Sequence, residues 1–153
     1  QPCLTVADMH PTDAVMTELA GPSGRIVRQL RLFPDDHAAA DAFDAWVTKA
    51  LDCSGTAPEA TTPPYLTHEF AVSDFGEDEA FIAQIVRDRD TRELYIWGGH
   101  MGIKRVGNAL LTISATSEAT ATPDRIAEWR MGDQEILALL GRSMCRYAAG
   151  GCD

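Results

Sequence analysis

His10, His37, His68 and His100 are the side chains most able to carry acid–base or metal chemistry in this sequence. No two stand at His-x-x-x-His spacing, so no helix face presents a paired metal site, and neither metal nor any other cofactor is expected. A serine nucleophile calls for a Gly-x-Ser-x-Gly elbow between strand and helix. None is present, and Gly141-Arg142-Ser143 falls inside a helical pattern. Gly98, Gly99, Gly102 and Gly107 lack the Lys-Ser/Thr ending and the strand-to-helix setting of a phosphate loop. Asp74, Glu77 and Asp78 crowd a turn without the spacing of a calcium loop. The enzyme reading that survives is a small envelope hydrolase using His68 or His100 with an acidic partner supplied by the fold.

The aromatic residues read either as part of a filled core or as a binding face. Tyr95 and Trp97 alternate on one expected strand, and Tyr65, His68 and Phe70 lie on another. A curved sheet that leaves such a face uncovered makes an apolar cleft with a polar rim. Tyr65, His68, Phe70, Tyr95, Trp97 and His100 are its expected lining, for an envelope small molecule or protein. An interaction or inhibitor module presenting Tyr95 and Trp97 is the alternative binding function.

Cys3, Cys53, Cys145 and Cys152 are an even set with no Cys-x-x-Cys pair. Zinc needs closely spaced ligands, often with His among them, so two disulfides are the expectation. Disulfides place the chain in an oxidising compartment, secreted or anchored at the cell envelope. Two pairings stay open. One joins Cys53 to Cys145 and Cys3 to Cys152; the other joins Cys3 to Cys53 and Cys145 to Cys152.

A chain of 153 residues with 45% hydrophobic and 24% charged residues is expected to form one domain with a real core. Its net charge of −10 argues against a nucleic-acid partner, which needs a concentrated basic patch. No apolar run approaches a membrane span. The chain opens on Gln-Pro-Cys, read here as a trimmed start with any export signal removed.

The elements that must position these residues follow from periodicity and punctuation. Leu4–Met9 carries a weak capping signal for a helical turn. Pro11 to Leu19 is expected as a helix with Val15, Met16 and Leu19 on its apolar side, ended by Gly21. Arg25–Phe33 alternates as a strand, and its three arginines suit an edge or a solvent face. Pro34-Asp35-Asp36 breaks it, and an Asp caps a helix over Asp36–Asp52 with Phe43 and Trp46 in its apolar stripe. A Pro/Thr-rich linker follows. Strands are expected over Tyr65–Ser73, Glu79–Arg89 and from Leu94 onward, with a bulge at Gly98-Gly99. Gly107-Asn108 reads as a two-residue hairpin turn pairing Val106 with Ala109, Lys104 with Leu111 and Gly102 with Ile113. Ala109, Leu111 and Ile113 form its core face; Ile103, Leu110 and Thr112 lie on a mixed one. Thr122 caps a last helix with Pro123 in its first turn, broken or kinked at Gly132-Asp133 and resuming to Tyr147, and Gly150-Gly151 closes the ordered part. The sum is an α+β domain, an antiparallel sheet of five or six strands with helices on one face.

LTVADM near the start, FPDDHAAADAFDAWVTKALDC and IKRVGNALLTIS, followed by the long final helix, resemble an extracytoplasmic sensor-domain family of actinobacteria. That family occurs as the outer domain of a mycobacterial receptor serine/threonine kinase and as stand-alone lipoproteins. The resemblance implies an antiparallel sheet with helices, a cleft for an envelope ligand and two disulfides. It carries over no catalytic or ligand residue. The function expected is therefore non-catalytic: an extracytoplasmic ligand-binding or sensor domain.

Overall fold

The computed structural model describes residues 9–22, 24–52 and 65–147. Cys3, Cys53, Cys152, the Leu4–Asp8 part of the first expected turn, the linker, the side chain of Asp74 and Gly150-Gly151 lie outside the described residues. The elements are β1 (Asp13–Gly21), β2 (Gly24–Leu32), α1 (Asp36–Asp52), β3 (Leu66–Gly76), β4 (Glu79–Asp88), β5 (Leu94–Val106), β6 (Ala109–Ser117) and α2 (Pro123–Gly141). A short 3₁₀ helix follows over Arg142–Tyr147. The strands form one six-stranded antiparallel sheet in the order β1-β2-β6-β5-β4-β3.

The β5–β6 hairpin has the expected register, with Val106 opposite Ala109 and Gly102 opposite Ile113. Gly107 takes φ 54°, the left-handed conformation that suits the first central residue of a tight hairpin turn. The face expected to be mixed is core as well: Ile103 and Leu110 are fully buried and Thr112 nearly so.

The two faces bury different helices. On one, Phe43, Trp46 and Ala50 of α1 pack with Ala80, Ile82, Ile103 and Leu110. On the other, Leu137 and Met144 pack with Ala109, Leu111 and Ile113. The α+β class stands, but the helices sandwich the sheet and do not gather on one side. Alternation explains it: the central strands are apolar at both parities, so each face needs its own cover.

Residues 13–21, expected as helix, form edge strand β1, all nine exposed. Val15 and Leu19 are four apart, a spacing that shares a face in either period, so the pattern could not separate helix from strand. Pairing with β2 decides it. That pairing also makes β2 an interior strand, against the edge or solvent face its arginines implied, and Arg31 is only 5% exposed. The last helix runs unbroken through Gly132-Asp133 and changes to 3₁₀ at Arg142. The irregularity expected at Gly98-Gly99 lies just before them, where Ile85 pairs with Gly98 but Arg87 with Leu94.

α2 sits on β5 in matched steps. Two strand residues advance about 6.6 Å and four helix residues about 6 Å. Trp129 therefore meets Gly98, Asp133 meets His100, Leu137 meets Gly102, and Gly141 meets Lys104. At three of the steps a glycine faces a long or bulky side chain. A Cβ on Gly102 would lie 2.9 Å from Leu137 Cδ1.

Candidate functional site: a cavity beside the first helix

Three observations define the wall of a cavity on the α1 face. Asp35 Oδ1 accepts from Ala38 N at 2.8 Å and so fixes where α1 begins. Asn108, in the hairpin turn, donates its Nδ2 to Phe33 O at 2.9 Å, while Phe33 N donates to Asn108 O at 2.8 Å. Thr12 N donates to Leu32 O at 2.8 Å, tying down the segment that carries Met9 and His10. Between these anchored pieces lies a partly open cavity of about 420 Å³. Ala38, Ala42 and Ala45 of α1 form its floor with Trp46, and Met9, Phe33 and Pro34 face them. Asp41, Lys49 and His10 supply its polar groups. A volume of this size, mostly apolar with a few polar groups, fits a small-molecule pocket.

Trp46 is 3% exposed, and its Nε1 is buried without a hydrogen-bond partner among the described residues. Leaving such a donor unpaired is costly in a settled core. Sequence reasoning placed Trp46, correctly, in the buried apolar stripe of α1 but missed the cavity beside it. The signal that could have found it is the alanine set at 38, 42 and 45, one helical face of side chains too small to fill the space beside a tryptophan.

Arg31 lies next to this wall. Its Nη1 points at Met9 Sδ, 3.9 Å away, and its Nη2 donates to Gln29 Oε1 at 2.5 Å. No carboxylate pairs with it among the described residues, and burial lowers its pKa below the usual arginine value.

The six residues expected to line one cleft are divided between surfaces. Tyr65 packs under the Arg89 guanidinium, 4.3 Å from its ring centre. His68 and Phe70 lie on the α1 side of β3, where Phe70 joins the core. Gln84 Nε2 donates to His68 Nδ1 at 2.7 Å, and burial lowers the imidazole pKa. Tyr95 and Trp97 sit in the irregular start of β5, with Trp97 41% exposed. His100 faces α2. Its Nδ1 lies 2.8 Å from Asp133 Oδ2, Trp129 stacks on the ring at 5.0 Å, and Phe81 lies 6.0 Å away. The acidic partner expected for a histidine thus exists for His100. A carboxylate that orients an imidazole is one part of a general-base apparatus.

Lys104 pairs with Glu79, and burial lowers its pKa with a smaller opposing effect from Asp78. Glu69 is bridged by Arg87 and Arg92, and its hydrogen bond from Arg87 leads in holding its pKa low. Both pairs fasten strands together. Among the described residues no His/Cys/Asp/Glu cluster could hold a metal, and no helix is long and apolar enough to cross a membrane. Cys145, the described cysteine, is not a free thiol.

No family model matches the chain, and no curated protein matches it. Among solved structures it is similar to the extracellular domain of PknH from Mycobacterium tuberculosis, at 13% identity and a TM-score of 0.47. The match covers 75% of this chain and 59% of that one. The likeness is distant and assigns no family.

Proposed function

We propose that this chain is a non-catalytic ligand-binding or sensor domain that works outside the cytoplasm, holding a small apolar molecule in the cavity beside α1. The cavity itself carries the reading: about 420 Å³ of mostly apolar space, set against a buried tryptophan with an unpaired N–H. From Ala38 to Lys49 the helix rises about 16 Å, so the ligand is slender. The even number of cysteines, and a Cys145 that is not a free thiol, support an oxidising compartment.

The ¹H–¹⁵N indole spectrum tests the site, because each of the three tryptophans gives its own signal. Titration with dodecanol is expected to shift Trp46 and leave Trp97 and Trp129 in place. Shifts confined to Trp97 or Trp129 would put the ligand elsewhere. A thiol assay on denatured, unreduced protein tests the compartment. Essentially no free thiol is expected, and two or more per chain would end that part of the proposal.

The second reading, a hydrolase built on His100, has the Asp133 contact in its favour. It requires ester or amide turnover that disappears in His100→Gln and survives in Ala42→Phe.

A further inference from the structure

A guanidinium is among the most costly groups to bury, and one taken out of water is ordinarily matched by a carboxylate or another anion. Arg31 breaks that pattern. It is 5% exposed on an interior strand, and its contacts are an amide oxygen and a thioether. Neither carries charge. The chain has 23 acidic residues, so acids are not scarce. No described carboxylate pairs with Arg31, while Arg25, Arg87, Arg89, Arg92, Arg105 and Arg125 each have one. Met9 touches Arg31 through a long N–H···S contact, and Met9 also lines the cavity. Thioether sulfur is a weak acceptor on a flexible stem, easily moved aside by a better one.

We infer that the cavity takes an anion-headed amphiphile, a slender apolar body ending in a carboxylate or phosphate monoester, whose head displaces Met9 and pairs with Arg31. This rests on the cavity being the ligand site and adds the chemistry of the ligand's polar end. The guanidinium fork suits two oxygens of either head group. Asp41 and Lys49 line the cavity with opposite charges, so neither sign dominates its lining. Arg31 then selects between an acid and the corresponding alcohol.

The test compares dodecanoate, dodecyl phosphate and dodecanol by calorimetric titration, the anions below their micelle concentrations and the alcohol below its solubility limit, on wild type, Arg31→Met and Met9→Ala. Wild type is expected to bind at least one anionic probe about tenfold or more tighter than dodecanol, and which anion is tighter identifies the head group. Arg31→Met is expected to lose that preference while still binding dodecanol. It should also unfold at a temperature no lower than wild type, since a charge without a partner is removed. Met9→Ala is expected to widen the ratio of anion to alcohol affinity, and it keeps the test open should Arg31→Met fail to fold. Equal affinity for alcohol and anions in wild type would overturn the role of Arg31 and leave the cavity reading standing. A preference that survives Arg31→Met would overturn it too. Binding of none of the three probes would overturn both.

Discussion

Asp133 accepts a hydrogen bond from His100 at 2.8 Å across the interface between α2 and β5, with its side chain 3% exposed. The residue before it, Gly132, has nothing within 4 Å of where a Cβ would stand. Adjacent positions on one helix therefore predict opposite outcomes. Asp133→Ala leaves a largely buried imidazole N–H without its acceptor and should cost about 1–3 kcal/mol. Gly132→Ala removes a helix-interior glycine without a clash and should gain roughly 0.5–1 kcal/mol. Urea denaturation of both variants checks the pair. A neutral Asp133→Ala would mean the contact contributes nothing to the helix–sheet seam.

The same seam separates two other glycines. A Cβ on Gly102 meets Leu137 Cδ1 at 2.9 Å and Asp133 Cβ at 3.1 Å, both in the packed interface. On Gly141 it meets Lys104 Cε at 2.5 Å and Cδ at 2.8 Å, a closer approach, but to the outer end of a flexible chain. Gly102→Ala should cost about 1–3 kcal/mol through overpacking. Gly141→Ala should be close to neutral, because Lys104 can move and a helix favours alanine. Thermal unfolding that ranked Gly141→Ala as the worse of the two would mean the matched steps between α2 and β5 are misplaced.

Stability should fall on mild acidification, and His68 is the group responsible. Its folded pKa is lowered from 6.5 by burial. The Gln84 amide donates to Nδ1, which must be unprotonated to accept. Between the folded and unfolded values the unfolded chain binds more protons, so stability drops as pH falls through that window below 6.5. Glu69 acts in the same direction at lower pH. Its pKa is lowered from 4.5, so its contribution is present above that value and lost as pH falls through the folded value. Denaturation midpoints from pH 7.5 down to 5 should decline in wild type and flatten in His68→Gln. An equal decline in the variant would assign the effect to other groups.

Elements whose local signals agreed were legible in the sequence. α1 has an Asp cap and an apolar stripe, and it runs over Asp36–Asp52 as expected. The Gly107-Asn108 turn fixed the register of the central hairpin, and Thr122-Pro123 marked the start of α2. β1 was not legible, because a Val15/Leu19 spacing fits both periods and only its pairing with β2 settles the matter. The position of the helices was also hidden. Which face a helix covers depends on both parities of the central strands being apolar, a property of the assembled sheet. The cavity escaped for a related reason. Trp46 reads as core, and it is buried, but the space beside it comes from three alanines and from the Phe33–Asn108 clamp 75 residues apart. His100 was singled out with an unnamed acid; Asp133, 33 residues on, is that acid, joined to it by the matched steps of helix and strand.

The most direct measurement is the affinity of the wild-type protein and of Ala42→Phe for a neutral apolar probe, dodecanol, read by calorimetric titration. Ala42 is a floor residue of the cavity, and a phenyl ring there fills it. Measurable binding to wild type is expected, with at least a tenfold loss in Ala42→Phe and the unfolding temperature of the variant unchanged or raised. Undetectable binding to wild type, or equal affinity in the two proteins, would contradict the cavity reading.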